Sequence, residues 1–252
     1  MKIYFPSSIY SAILALMLPD KLKSNIEIIP SALITEKLLN DTDAVGLIPS
    51  LDLIKHKELF VSKKIALSFD GALSQSYFYF MPDQNKFDKL FLRGDVTSNE
   101  VILSKILFVE KYGFESEIVL DTNPIDFNEN NYLIVGQENN DFIEKHNGVS
   151  FSDQVAEFIN YPYVNFLLAS NSKDSISNVC SELKEIDVKV EDDIINLLDK
   201  FNLSDSFSKY ISENIDTIYF EMTENEIEGL HELLKLPYYH GVTEEIFELN
   251  LV

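Results

Sequence analysis

The chain of 252 residues has no tryptophan, one cysteine (Cys180), one arginine (Arg93) and four histidines, with eight glycines and eight prolines. A single thiol excludes an intramolecular disulfide framework and a thiolate-based zinc site. His56, His146, His231 and His240 form no i,i+4 pair and fit surface positions rather than a metal cluster. So little glycine and proline excludes collagen-like and low-complexity chains. Neither a Gly-rich phosphate loop nor a Gly-x-Ser-x-Gly elbow is present. The apolar run Ile9 to Leu18 is shorter than the roughly 20 residues of a bilayer span. With Lys2 ahead of it the run faintly resembles a signal peptide. However, Pro6-Ser7-Ser8 interrupts it and no small-x-small cleavage site precedes Pro19-Asp20-Lys21. The expectation is mature protein, cytoplasmic, without membrane insertion.

What is abundant is acid. Twenty Lys and Arg stand against 42 Asp and Glu, a formal charge of −22. Such a surface cannot neutralise phosphates over a broad face, which excludes nucleic acid as the partner. Runs such as Glu191-Asp192-Asp193 and Glu224 to Glu228 read as solvated helix surface. Hydrophobic residues make up 46% of the chain, enough for one substantial core or two small ones. No cofactor is implied.

The first third alternates strand and helix. Lys2 to Phe5, Ile26 to Ile29 and Ala44 to Ile48 read as strands. Ile9 to Leu18 and Ser31 to Asn40 read as helices, and Leu51 to Ile54 as a helical turn. This is the rhythm of a parallel sheet with crossover helices. Ile65 to Phe69 and Leu73 to Phe80 read as long strands around Asp70-Gly71, and Phe87 to Leu92 as another, followed by an Arg93 to Val96 loop. Thr97 with Glu100 fits a capping box that opens a helix to Tyr112, with Gly113 at its C′ position. Ile118 to Leu120 and Tyr132 to Val135 are further strands, Val149 to Asn160 a helix, and Tyr163 to Ala169 a strand. From Ile176 to the end the pattern is polar-periodic and helical, with a second capping pattern at Thr223 and Glu226.

In open α/β sheets, ligands sit beyond the carboxyl ends of strands. Three strand-to-helix junctions carry small polar residues there: Ser7-Ser8-Ile9-Tyr10-Ser11, Thr97-Ser98-Asn99 and Gly136-Gln137-Glu138. A helix N-terminus offers free N–H groups and partial positive charge, and two that converge could hold a dianion with few basic side chains. Ser and Thr before a helix most often serve as N-caps, so the set gains meaning only if the loops meet in space. Arg93, at a strand end before a helix, suits either bidentate carboxylate binding or a surface salt bridge.

Several segments together resemble a known family. Ala44-Val45-Gly46-Leu47-Ile48-Pro49-Ser50 resembles a strand of the type II periplasmic-binding-protein fold. Gly71-Ala72-Leu73-Ser74-Gln75-Ser76, Leu103-Ser104-Lys105-Ile106-Leu107 and Leu133-Ile134-Val135-Gly136-Gln137 resemble its menaquinone-biosynthesis branch, the chorismate dehydratases of the futalosine pathway. So does Ala156-Glu157-Phe158-Ile159-Asn160-Tyr161-Pro162-Tyr163-Val164-Asn165-Phe166. Tyr210-Ile211, Ile218-Tyr219-Phe220 and Glu228-Gly229-Leu230 fit that family's C-terminal helices. Two departures fall at its expected active site: Ser11 stands where the family has Asn, and Gln75 stands where it has Ser, with Ser74 and Ser76 beside it.

The resemblance implies an α/β, type II periplasmic-binding-protein-like fold with two α/β lobes, a central cleft and two crossing strands. Residues 1–72 plus 166–252 would form the first lobe and residues 73–165 the second. It implies a lyase acting on chorismate or a related small carboxylate, with Ser11, or a water it orients, assisting proton removal at the catalytic position. Ser7, Ser8, Ser74, Gln75, Ser76, Arg93, Thr97, Ser98, Asn99 and Gln137 would bind the substrate. The alternative is a non-catalytic binding protein for a small organic anion; a module without a ligand is the third reading. No metal is expected, and a homodimer is compatible with all three.

Overall fold

The computed structural model describes residues 1–82, 87–143 and 146–252. In chain order the elements begin β1 (Ile3–Pro6), α1 (Ile9–Met17), α2 (Asp20–Lys23), β2 (Ile26–Ile29), α3 (Ile34–Asn40), β3 (Val45–Pro49) and β4 (Phe60–Phe69). The middle supplies β5 (Ser76–Tyr79), β6 (Lys89–Gly94), α4 (Ser98–Glu110), β7 (Glu117–Leu120), β8 (Tyr132–Val135), β9 (Val149–Ser150) and α5 (Phe151–Ile159). The chain continues through β10 (Tyr163–Ser170), α6 (Lys173–Glu182), α7 (Ile186–Leu198), α8 (Asp205–Glu213), β11 (Ile218–Glu221), α9 (Glu224–Tyr239) and β12 (Asn250–Leu251). Single 3-10 turns at Ser31–Leu33 and Ser50–Ile54 replace the first turns of two expected helices.

Two sheets result, one per lobe. The larger runs β11-β4-β10-β3-β1-β2, with β12 also beside β4; the smaller runs β7-β6-β8-β5-β9. Each contains a parallel trio, β2-β1-β3 and β7-β6-β8, whose strands are linked through helices except β7 and β8, which a loop joins. The strand next to each trio runs against it, β10 beside β3 and β5 beside β8, and the next one out, β4 or β9, is antiparallel to that strand in turn. The purely parallel rhythm read along the chain therefore holds for the trios only. The chain leaves the larger sheet after Phe69 and returns at Tyr163, and these two residues are paired with each other.

Apolar alternation and caps account for the elements. β1, β3, β8 and β10 are buried along their whole length, as strands covered on both faces must be. Thr97–Glu100 and Thr223–Glu226 both close as capping boxes, and Gly113 takes φ +72° after α4. Three local readings change. The expected long strand Leu73 to Phe80 shrinks to β5, because the Ser74 hydroxyl accepts from Ser76 N–H and Ser152 N–H and holds the chain in a turn. The strand expected at Phe87 begins at Lys89 and runs on through Arg93 and Gly94. Ile218-Tyr219-Phe220, expected in a helix, forms β11, because its side chains alternate between buried and half-buried and the edge of β4 is free to pair.

Asp187 and Glu221 knit this late edge together. The Asp187 carboxylate accepts from Phe220 N–H at 2.6 Å and Glu221 N–H at 3.3 Å, and the Glu221 carboxylate accepts from Glu185, Ile186 and Asp187 N–H. Burial outweighs the two hydrogen bonds and pushes the Asp187 carboxyl up to about 6. The folded protein thus holds this proton more tightly than the unfolded chain. The stabilisation is complete below the ordinary aspartate value and is lost as pH rises towards 6. Buried Glu100 and half-buried Asp153 are shifted in the same direction. Melting curves between about pH 4 and 7 should show the transition temperature falling as pH rises, with a shallower slope in Asp187→Asn.

Candidate functional site

Between the lobes lies a cavity of about 280 Å³. Ser8, Ile9, Tyr10 and Ala12 line it from the start of α1, and Ser74, Gln75 and Tyr77 from the first crossing. Gly136, Gln137, Asn139, Asn140 and Ile143 come from the turn after β8, Phe201, Asn202 and Leu203 from the α7–α8 connection, and Phe207 from the first turn of α8. The first and third polar junctions read from the sequence do therefore meet. The second does not: Thr97 and Ser98 border a separate, more apolar cavity with Val101, Ile102 and Leu120.

The expected substrate contacts divide accordingly. Ser8, Ser74, Gln75 and Gln137 line the cavity, whereas Ser11, Ser76, Arg93 and Asn99 do not. Ser11 is fully buried, and its hydroxyl donates to the Pro6 carbonyl at 2.6 Å, so it fastens the β1–α1 corner and is directed away from any substrate. Ser76 donates to Glu100 at 3.0 Å. The Arg93 fork is occupied by Glu138 at 2.6 Å, the Asn123 carbonyl at 2.6 Å and Asp121 at 3.6 Å, leaving it no free face for a ligand. The salt-bridge reading of Arg93 holds. Ser7 accepts from Gln137 Nε2 at 3.1 Å, a bond across the cleft mouth.

Donors without acceptors mark the cavity's polar end. Ser8 caps α1 by accepting from Ser11 N–H, and its carbonyl takes Ala12 N–H. The N–H groups of Ile9 and Tyr10 are then what the first turn has left to offer. Beside them Gln75 is 4% exposed, and its Nε2 has no partner among the described residues. Its backbone is held rigidly, the carbonyl accepting from Gly136 N–H at 2.8 Å and Asn139 Nδ2 at 3.4 Å. Asn139 itself is fixed by Ile134 O at 2.6 Å and by Tyr79 Oη at 3.1 Å. The apolar part of the lining includes Ile143, Phe201, Leu203 and Phe207. Sequence reasoning passed over these residues and Asn139. Their one local signal is Phe201 and Leu203 standing in an otherwise polar connection just before the Ser204 cap of α8.

The electrostatics fit an acceptor group. No carboxylate lines the cavity among the described residues, despite the net charge. Its titratable groups are Tyr10 and Tyr77, and burial raises both phenols, so each keeps its proton at neutral pH.

The larger sheet offers three junctions to the other lobe, and two are already filled from across the cleft. The Asp95 carboxylate accepts from Ser31 N–H at 3.0 and 3.2 Å and from the Ser31 hydroxyl at 2.5 Å. Asn99 Oδ1 accepts from Leu51 N–H at 2.9 Å, while its Nδ2 donates to Asn165 O at 2.8 Å and Oδ1 at 2.9 Å. Only the start of α1 lacks a cross-lobe acceptor among the described residues. The dianion expected between two helix N-termini thus finds one of its positions taken.

No family model and no curated protein matches this sequence. Solved structures do match. Protein AF1704 from Archaeoglobus fulgidus superposes with a TM-score of 0.67 at 13% identity, covering 96% of this chain and 98% of that one. The periplasmic aliphatic sulphonate binding protein SsuA from Escherichia coli gives 0.63 at 12% identity, covering 100% of this chain and 93% of that one. The Candida albicans CA3427 gene product, described as having the generic periplasmic binding protein structural fold, gives 0.58 at 14% identity, covering 98% and 92%. At such identities the likeness speaks for architecture, and the chain has the two-lobed periplasmic-binding-protein fold.

Proposed function

We propose that this chain is a receptor for a small organic molecule carrying one oxyanion group, such as a carboxylate or sulfonate, and an apolar body. The observation that carries this reading is the unpaired Gln75 amide, buried in the cavity wall beside the open first turn of α1. A buried donor without a partner costs about 1–3 kcal/mol, which a ligand oxygen would recover. Phe201, Leu203 and Phe207 would cover the ligand's apolar body. The fold neighbour named as an aliphatic sulphonate binding protein supports this class of ligand.

The dehydratase activity implied by the family resemblance needs a base that accepts a proton in the cleft. Ser11 is tied to Pro6, and Tyr10 and Tyr77 hold their protons, so the described wall favours binding over elimination. Calorimetric titration with straight-chain alkanesulfonates and alkanoates, run beside an assay for loss of chorismate absorbance, separates the two. Binding without turnover is the expected result, and chorismate consumption would overturn it. Gln75→Leu should weaken binding by about tenfold or more, the worth of one hydrogen bond to a charged group, while leaving the melting temperature unchanged or higher. Equal affinity in that variant would show that the amide does not meet the ligand.

A further inference from the structure

The cavity at α1 does not end at Gln137. On the other side of the Ser7–Gln137 bond lies a second, outer cavity of about 500 Å³, bordered by Ser7, Pro30, Gly94, Asp95, Val135 and Gln137. Gln137 borders both spaces, its side chain is exposed, and one 3.1 Å hydrogen bond holds it to Ser7. A two-headed ligand would therefore have a continuous path from Gln75 to the outer cavity once Gln137 swings aside. What it would meet there is Asp95, whose carboxylate already occupies the Ser31 N–H and hydroxyl. Ser31 is fully buried, so its two donors are directed at this one carboxylate. The other acid on this wall, Glu138, is neutralised by Arg93 and leaves Asp95 as the charge that a second anionic head would face.

We propose that Asp95 is a specificity-determining residue, a built-in carboxylate that fills the second anion position of the cleft and restricts the chain to ligands with a single oxyanion group. This rests on the receptor reading of the α1 cavity. It extends that reading, because the α1 end alone would accept the head of a mono- or a dianion equally. Asp95 rejects the second head by occupying the donors that would hold it.

The test compares butanesulfonate with butane-1,4-disulfonate by calorimetric titration of the wild type, Asp95→Ala and Asp95→Asn. The wild type should prefer the monosulfonate. In Asp95→Ala the ratio should move towards the disulfonate by about tenfold or more, one charge-assisted hydrogen bond at Ser31. Asp95→Asn keeps an acceptor on Ser31 and should stay close to the wild type. An equal change in both variants would make net charge, not occupancy, the cause and overturn the proposal. An unchanged ratio in Asp95→Ala would overturn it while leaving the receptor reading intact. If the wild type binds neither sulfonate, both fall together. A melting experiment reads the vacated position directly, even if Asp95→Ala is destabilised: added acetate should raise the transition of that variant by more than that of the wild type. Absence of this rescue would also overturn the proposal.

Discussion

Replacing Asn99 by alanine should lower the stability of the protein by about 3–5 kcal/mol and its melting temperature by about 10 °C. Asn99 is fully buried at the start of α4, and one amide serves three groups. Its oxygen takes Leu51 N–H, and its nitrogen reaches both the carbonyl and the side-chain oxygen of Asn165. Truncation leaves the buried N–H of Leu51 without an acceptor, and each Asn165 oxygen keeps only its second donor, Ser50 Oγ or Tyr163 Oη, in a space too enclosed to admit bulk water. The orphaned N–H costs about 1–3 kcal/mol and each of the two other lost hydrogen bonds about 0.5–1.5 kcal/mol, so the sum exceeds that of most single substitutions. Aspartate is no remedy, because it keeps the acceptor and sets a charge against the Asn165 oxygens. Thermal denaturation of Asn99→Ala, with Asn99→Asp beside it, checks this; a loss below about 1 kcal/mol would mean that the junction repacks or hydrates freely.

Gly94→Ala should cost about 3 kcal/mol or more. Gly94 ends β6 at φ +87°, where an L side chain is strained, and an added Cβ would fall 2.0 Å from the Val135 carbonyl oxygen. That oxygen accepts from Asp95 N–H at 3.2 Å, so the methyl group would push apart the pair that presents Asp95 to Ser31. The variant should therefore melt lower and also lose the preference for singly charged ligands in the same titrations as Asp95→Ala. A variant that melts like the wild type would show that β6 and β8 separate at little cost.

The parallel trios were legible because they announce themselves locally. Strands such as Ala44 to Ile48 are continuously apolar, and Thr97–Glu100 and Thr223–Glu226 are caps whose chemistry lies within one helical turn. β11 was not legible. Four residues of alternation, Ile218 to Glu221, are too short to outweigh the helical pattern around them, and their fate depends on the open edge of β4, far away in sequence. The site divides in the same way. Ser8 could be named because it follows a strand end, and Gln75 because it stands where the resembling family has its site serine. Phe201 and Leu203 reach the cavity from a connection whose position no nearby residue specifies, and Phe207 from the helix that follows it. Arg93 stayed open between two readings for a related reason. Its pairing with Glu138 joins the end of β6 to the turn after β8, a contact between neighbouring strands that linear spacing does not reveal.

The pairing of Phe69 with Tyr163 has a mechanical consequence. Both tethers between the lobes start from one rung of the β4–β10 ladder, side by side at the middle of the larger sheet. Two adjacent tethers leave one soft rotation, about the line that joins them, and stiffen the sheet against twist and shear. Whatever opens this cleft must swing it like a door, and the side away from the hinge, where Gln137 meets Ser7 and Asp95 meets Ser31, travels furthest.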